Sequence, residues 1–598
     1  MRDKTAGGTM REGGPALPDD DQRNAANSAE AAAEAAPLNE AGQRLIRRGP
    51  AGYLWNQAGS LWLFLSLLLF EVVVRRSLPQ GETNVFDAVA TVANLGFYVA
   101  ALGLTSAGTV YLPRALVEGG PAYARALALR LVVSRVAGAL VVGAAIIWAT
   151  PALVTEAVAA PWSPVREFAG SFIVQALLAH RVVVAAYVVG VGVSTLLSSL
   201  LIALVRTRIV FIFGGLAQGL VLALAYVLIA RLNTGVEGAM LAQVLPPMMT
   251  AIIFAVILWR TLAGGTESSA RPPRFFGPSL RLAFAAWLAD LPNASLVQPL
   301  AIGQLSAVAP SQLLFFKSTY QMGDAGSRFF TDGLGGVSLA LMSASYAGRR
   351  LPSLAIGWRT VNKLQVLLAT PLVVFSIPHA AAIMALLFGP LYASSGGLLA
   401  VFLILNGVLQ LLGGATHEWA LYVLGHQRWV VVSRWATLGI LAVAGVLLVP
   451  RYFALGALVA VGIGRLAAQL FLFALARAAV RRPYPFTFVA KLLVTLIPPV
   501  VVTALWQPAA LVEQIVASLP ALASGHEPAV TTALLLAADG MTFLALFLIG
   551  LWLVRPLDAE DAGLLAQAPA WLRRLLRPLV SRTASRLPAS EPVPAARR

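Results

Sequence analysis

The chain has 598 residues, 58% of them hydrophobic and 12% charged, with a formal net charge of +17 and a mean hydropathy of +0.77. A soluble domain carries about 25% charged residues to keep its surface wet, so this composition excludes a water-soluble globular protein and calls for lipid as solvent. The chain has no cysteine, which excludes disulfides, iron–sulfur clusters and thiol chemistry.

Residues 1–49 are rich in Ala, Gly, Asp, Glu and Asn without periodicity and are expected to form a disordered cytoplasmic tail. About twenty apolar helical residues cross a bilayer core. Fourteen candidate spans follow: 53–74, 86–112, 128–150, 182–205, 209–230, 236–259, 280–301, 311–342, 364–388, 391–424, 429–450, 454–476, 488–506 and 531–554. The stretch 168–179 is too short to span and reads as an interfacial helix, separated from the fourth span by His180 and Arg181. The segment 263–276, AGGTESSARPPRFF, is a flexible basic linker. After the last span, Asp558, Glu560 and Asp561 precede Leu564, Leu565, Trp571, Leu572, Leu575 and Leu576, interleaved with Arg573, Arg574 and Arg577. That pattern fits a short amphipathic helix within a cytoplasmic tail, 557–598, or an unstructured basic tail.

Orientation follows the placement of Lys and Arg. With the N-terminus inside, 19 basic residues fall on inner loops and 6 on outer ones (Arg75, Arg76, Arg166, Arg181, Arg231 and Arg451). Both termini are then cytoplasmic. The positive charge is loop charge facing anionic lipid. No basic, aromatic-interleaved soluble module is present, so nucleic acid is excluded as a partner.

GVEGAMLAQVL from Gly235 and FALGALVAVGI from Phe453 align with Gly238 on Gly456, 218 residues apart. Basic turns upstream of each also correspond. An N-terminal lobe at 50–262 and a C-terminal lobe at 277–482 would each hold six spans in one orientation, a parallel repeat whose interface holds the substrate in secondary transporters of this design. Residues 483–556 add two helices. The fold expected is an all-α polytopic membrane protein with about 14 transmembrane helices around a central cavity.

A charge at the centre of a membrane helix costs about 2.5–3.5 kcal/mol, so the span 311–342 stands out. Lys317, Asp324, Arg328 and Asp332 fall within about 80° of one another at 100° per residue, forming one polar stripe on an apolar helix. Lys317 and Arg328 are candidates to attract substrate phosphate or uronic acid, with Asp324 and Asp332 balancing them. An ion-pair ladder between lobes or a wetted cavity wall would account for the same stripe. Asp290, before Pro292 and Pro299, and Arg465, deep in the twelfth span, are further candidates. Arg135 is expected to snorkel to the inner surface, and Glu71 and Asp87 to pair with Arg75 or Arg76. Asp539 in the last span has no partner evident in the sequence. Glu418 follows His417, but no third ligand at useful spacing makes a metal site. Walker A, HExxH and GxSxG motifs are absent. The expectation is no enzyme, no cofactor and no metal.

The stretches GYLWNQAGSLWLFLSLLLF from Gly52, ANLGFYVAALGLTSAGTVYLPRAL from Ala93, LLFGPLYASSGGLLAVFLIL from Leu386, GHQRW at Gly425 and YFALGALVA at Tyr452 resemble the polysaccharide flippase branch of the multidrug/oligosaccharidyl-lipid/polysaccharide exporter superfamily. The resemblance covers about 50–480. The Leu-Gly-x-x-x-(Tyr/Phe)-Gly turn usual after the first helix is replaced here by LPQGETNVFDAVA from Leu78. The resemblance implies two six-helix lobes in a V, alternating between inward- and outward-open states. It implies translocation of a polyprenyl-pyrophosphate-linked oligosaccharide across a bacterial inner membrane, by a monomer working beside a polysaccharide polymerase or glycosyltransferases. The last two helices would line a groove for the polyprenyl tail, or simply pack at the periphery. A drug or small-solute antiporter of the same superfamily and a membrane-embedded glycosyltransferase or polymerase are the competing readings.

Overall fold

The computed structural model describes residues 40–159, 172–263, 275–292, 296–346, 351–505 and 527–558, together with Asp561 and Arg574. All regular structure among the described residues is helical. In chain order the helices are α1 (Glu40–Ser77), α2 (Gln80–Ala101), α3 (Leu104–Ala144), α4 (Thr150–Ala159), α5 (Phe172–Ala203), α6 (Thr207–Ala225), α7 (Gly235–Thr261), α8 (Phe276–Leu291), α9 (Val297–Val308), α10 (Leu313–Tyr346), α11 (Leu351–Ser376), α12 (Ala380–Phe388), α13 (Gly396–Leu411), α14 (Thr416–Val423), α15 (Gln427–Val480), α16 (Phe486–Leu505) and α17 (Glu527–Val554).

By length and apolarity alone, nine helices among the described residues can cross a membrane, or ten if the bent pair α11–α12 is one span. The expectation of fourteen exceeds this for two physical reasons. Two of the nine each join two expected spans across a break: Gly120 in α3 (φ 79°, ψ 177°) and Phe453 in α15 (φ 51°, ψ −125°). α10 carries Lys317, Asp324, Arg328 and Asp332, and α8–α9 is interrupted at Pro292, so neither reads as a long apolar rod. The chain is a multi-pass membrane protein.

The breaks have local causes. Pro121 follows Gly120, and Pro450 precedes Phe453 by three residues; a proline inside a helix removes one backbone bond and kinks it. Just after the second break, a Cβ on Gly456 would stand 2.3 Å from the Leu448 carbonyl oxygen, and one on Gly238 would stand 1.9 Å from Thr234 Oγ1. Both glycines of the sequence repeat thus sit where the chain folds tightly on the segment before it. Leu102 and Gly103 are both left-handed, separating α2 from α3. A Cβ on Gly103 would lie 1.9 Å from the Ala283 carbonyl oxygen, so only glycine lets α8 approach this close.

The tail expected to run to residue 49 gives way to helix at Glu40, because Leu45 is buried against Val205 and Ala344. Residues 1–39, 160–171, 264–274 and most of 559–598 lie outside the described part, and with them most of the linker and the amphipathic tail. The interfacial stretch is described from Phe172 and runs into the fourth span through a kink at His180 (φ −110°, ψ 17°).

Each segment has its own apolar core. Phe70, Val89, Val188 and Met240 pack together in the first; Val297, Phe316, Leu441 and Leu458 pack in the second. A larger cluster joins Trp358 and Trp419 to Phe543 and Phe547, so α17 is seated on the second segment. Between the segments, α1 and α3 pack on α10, and α3 also packs on α8.

Candidate functional site

The seam between residues 50–262 and 277–482 has two ends that differ. At the basic end, where α1 starts, Tyr53 Oη meets Ser338 Oγ at 3.2 Å and Asn56 Nδ2 donates to the Gly333 carbonyl at 2.7 Å. Arg114 donates to the Val423 carbonyl, at the last residue of α14. Its guanidinium lies between the Tyr111 and Tyr346 rings, 5.6 and 5.2 Å from their centroids. A cation at a helix C-terminus is favoured by the exposed carbonyls there. At the opposite end the ion pair across the seam is Lys317 Nζ to Asp87 Oδ2, 3.5 Å, with the Lys317 side chain 41% exposed.

Over its described part the stripe of α10 reaches other helices. Lys317 reaches Asp87 on α2, and Asp324 accepts from Arg465 Nη2 of α15 at 3.2 Å. Arg465 also donates to Tyr320 Oη at 2.8 Å and stands over the Tyr320 and Phe402 rings. It lines a small cleft with Phe402, Asn406 and Leu458. The structure thus joins two predicted residues, Asp324 and Arg465, that the sequence left apart. The side chains of Arg328 and Asp332 lie outside the described residues. Asp87 faces Lys317 rather than only its own loop; the Arg75 and Arg76 side chains are also outside the described part.

Asp290, near the end of α8, has an exposed side chain and makes no hydrogen bond or ion pair with described residues. It stands close enough to Glu418 and Arg434 to feel both charges. Arg434 is bonded directly to Glu418, linking α15 to α14. Tyr422 completes this group. His417 beside it is fully buried, bonded to the Leu412 carbonyl and packed on Trp358, Phe473 and Tyr484. Among the described residues no group of three or more His, Cys, Asp or Glu could hold a metal ion.

Arg135 does not snorkel. It is 2% exposed and donates from Nε to the Gly192 carbonyl at 3.1 Å. Gly192 makes this possible, since a Cβ there would be 2.7 Å from Arg135 Nη2.

Two contacts were not foreseen from the sequence. Asp539 of α17 meets His379 Nε2 at 3.1 Å. After α17, Lys363 Nζ holds Asp558 at 2.7 Å and Asp561 at 2.8 Å, with Arg359 on Asp558 at 3.3 Å. The two carboxylates also bond each other's backbone N–H in a reciprocal pair of the capping-box kind. Burial pushes the Asp558 carboxyl up, but its hydrogen bonds with Lys363 and Asp561 outweigh this and hold it below the usual carboxylate range. Burial raises Asp561 above that range.

The sequence matches no family model and no curated protein. Its fold is shared with solved transporter structures. A transporter of the MOP superfamily from Pyrococcus furiosus superposes with a TM-score of 0.61 at 16% identity, over 75% of this chain and all of that one. An outward-facing multidrug resistance MATE family transporter of the same superfamily gives 0.60 at 15% identity, over 74% of this chain and 99% of that one. A MATE structure in the bent conformation gives 0.56 at 17% identity, over 74% and 98%. At such identities the likeness is one of fold.

Proposed function

We propose that the protein is a flippase moving a polyprenyl-pyrophosphate-linked oligosaccharide, or a related polysaccharide precursor, across a bacterial cytoplasmic membrane by alternating access at the seam between its two six-helix lobes. Both termini are cytoplasmic in this reading, and a polysaccharide polymerase or glycosyltransferases would consume or supply the cargo. The observation that carries it is the half-exposed ammonium of Lys317 at the seam, on a helix that also bears Arg328 and is backed by Arg465. These cations suit a pyrophosphate, and Asp324 and Asp332 would neutralise them when the cargo has left. The shared fold supports transport, and for the Pyrococcus furiosus neighbour the reverse polarity of the binding pocket suggests a different function.

A cation-coupled drug antiporter is the second reading. The exposed, unbonded carboxylate of Asp290 and the multidrug resistance neighbour favour it. A ligand that binds only the folded protein raises its melting temperature by mass action. Purified protein is expected to be stabilised by polyprenyl pyrophosphate and not by a lipophilic cation such as tetraphenylphosphonium. Stabilisation by the cation alone would transfer the assignment to the antiporter.

A further inference from the structure

His379 is the residue before α12, at the turn where α11 and α12 bend by 83°. Its ring stacks on Phe375, with centroids 4.4 Å apart and planes at 23°. Nδ1 lies 2.8 Å from the Phe375 carbonyl oxygen, and Nε2 lies 3.1 Å from Asp539 Oδ2. Asp539 is near the middle of α17, and the two side chains are only 14% and 13% exposed. Asp539 Oδ1 is buried and has no hydrogen-bond partner among the described residues.

These distances fix the proton count. A carbonyl oxygen only accepts, so Nδ1 must carry a hydrogen. Nε2 then faces the carboxyl either as an N–H of imidazolium against carboxylate, or as a lone pair against a protonated acid. Both arrangements hold one proton between Nε2 and Oδ2, and both are neutral overall. Without that proton a lone pair faces a carboxylate, leaving a net negative charge in an apolar setting. Among the described residues no cationic side chain pairs with it. Between Leu364 and Phe388 no other residue titrates, and Asp539 alone does between Val530 and Val554. α13 has no charged residue, α16 has Lys491, and the neighbouring phenol is Tyr392, packed on Phe388.

The pair also sits at a joint. Phe375 touches Phe543 of α17 with ring centroids 5.5 Å apart, and α12 and α11 are the parts of the second lobe that meet α17 here. We propose that His379 and Asp539 form a binding site for one proton, and that this proton holds the last helix against the bent α11–α12 corner. Losing it opens the joint. The site is thus a second, proton-taking centre, apart from the seam and independent of which cargo moves.

The native chain has no cysteine, so paired spin labels can be placed at Leu391→Cys and Ala537→Cys in full-length protein in lipid nanodiscs. The expected result is one short distance at about pH 6 and a population longer by about one helical turn, ~5 Å, at about pH 9. Asp539→Asn, whose amide donates to Nε2 without a titrating proton, should stay short at both. His379→Phe, which keeps the ring stack but removes the acceptor, should lose the pH response. A wild-type distance that does not move with pH, or an Asp539→Asn distance that moves as the wild type does, overturns the proposal. Because the readout is a distance, its failure leaves the flippase reading untouched.

Discussion

The two ends of the seam are built differently. The basic end is closed by partly buried side-chain hydrogen bonds and by an arginine that caps a helix between two aromatic rings. The opposite end is bridged by Lys317 and Asp87, partly open to solvent. Exposed ion pairs contribute about 0.2–1 kcal/mol and weaken with salt, whereas close packing and desolvated hydrogen bonds do not. The comparison implies that the opposite end opens at lower cost.

The largest effect should come from Gly103→Ala. The new Cβ would meet the Ala283 carbonyl oxygen, and the left-handed backbone adds strain. A loss of about 3 kcal/mol is expected, from about 1–2 for the backbone and about 1–3 for overpacking. It would appear as a lower melting temperature in detergent. A melting temperature equal to the wild type's would show that this approach of α8 to α3 does not brace the seam.

Arg114→Ala removes the cap on α14 and the two ring contacts. About 1–2 kcal/mol of closure should be lost at the basic end. Labels across that end should report a second, longer population, with the opposite end unchanged.

Lys317→Ala should act on the other end and more weakly, by less than about 1 kcal/mol. Raising salt should mimic it in the wild type and have no further effect in the variant. A salt-independent opposite end would remove the contrast between the ends.

The smallest effect concerns the turn at Asp558. Its folded carboxyl titrates below the ordinary value of about 3.9, so its contribution is present above that value and lost as pH falls through the lower folded one. Asp561, raised by burial, contributes in the opposite sense: its share is present below the ordinary value and lost as pH rises. The two shares oppose each other, so proteolysis just after residue 557 should change little on acidification, whereas Lys363→Met, which removes the ammonium that both carboxylates share, should raise it at neutral pH.

Much of the fold was legible because the membrane imposes long apolar runs and an asymmetry of basic loops. The polar stripe on α10 was legible from helical periodicity alone. Its partners were not. Asp87 lies 230 positions from Lys317, and Arg465 lies 141 from Asp324; no local spacing rule reaches that far. Arg135 was misplaced because its accommodation depends on Gly192, on another helix, leaving room for a guanidinium. Asp539 could not be interpreted until α17 was seated against the corner that holds His379. The breaks at Gly120 and Phe453 show the reverse case: Gly-Pro and Pro-Arg-Tyr-Phe are visible in the sequence, and the backbone leaves the helical region there, so that Gly464 returns beside Thr437.

The central claim is that the cations at the seam serve an anionic, lipid-linked cargo. It is tested most directly by translocation of fluorescent polyprenyl-pyrophosphate-linked oligosaccharide in proteoliposomes, comparing wild type with the double variant Lys317→Ala/Arg328→Ala. Wild type should translocate it, and the double variant should be slower by about tenfold or more, the equivalent of about 1.4 kcal/mol. No translocation by the wild type would contradict the flippase assignment, and an unimpaired double variant would contradict the role given to the α10 stripe.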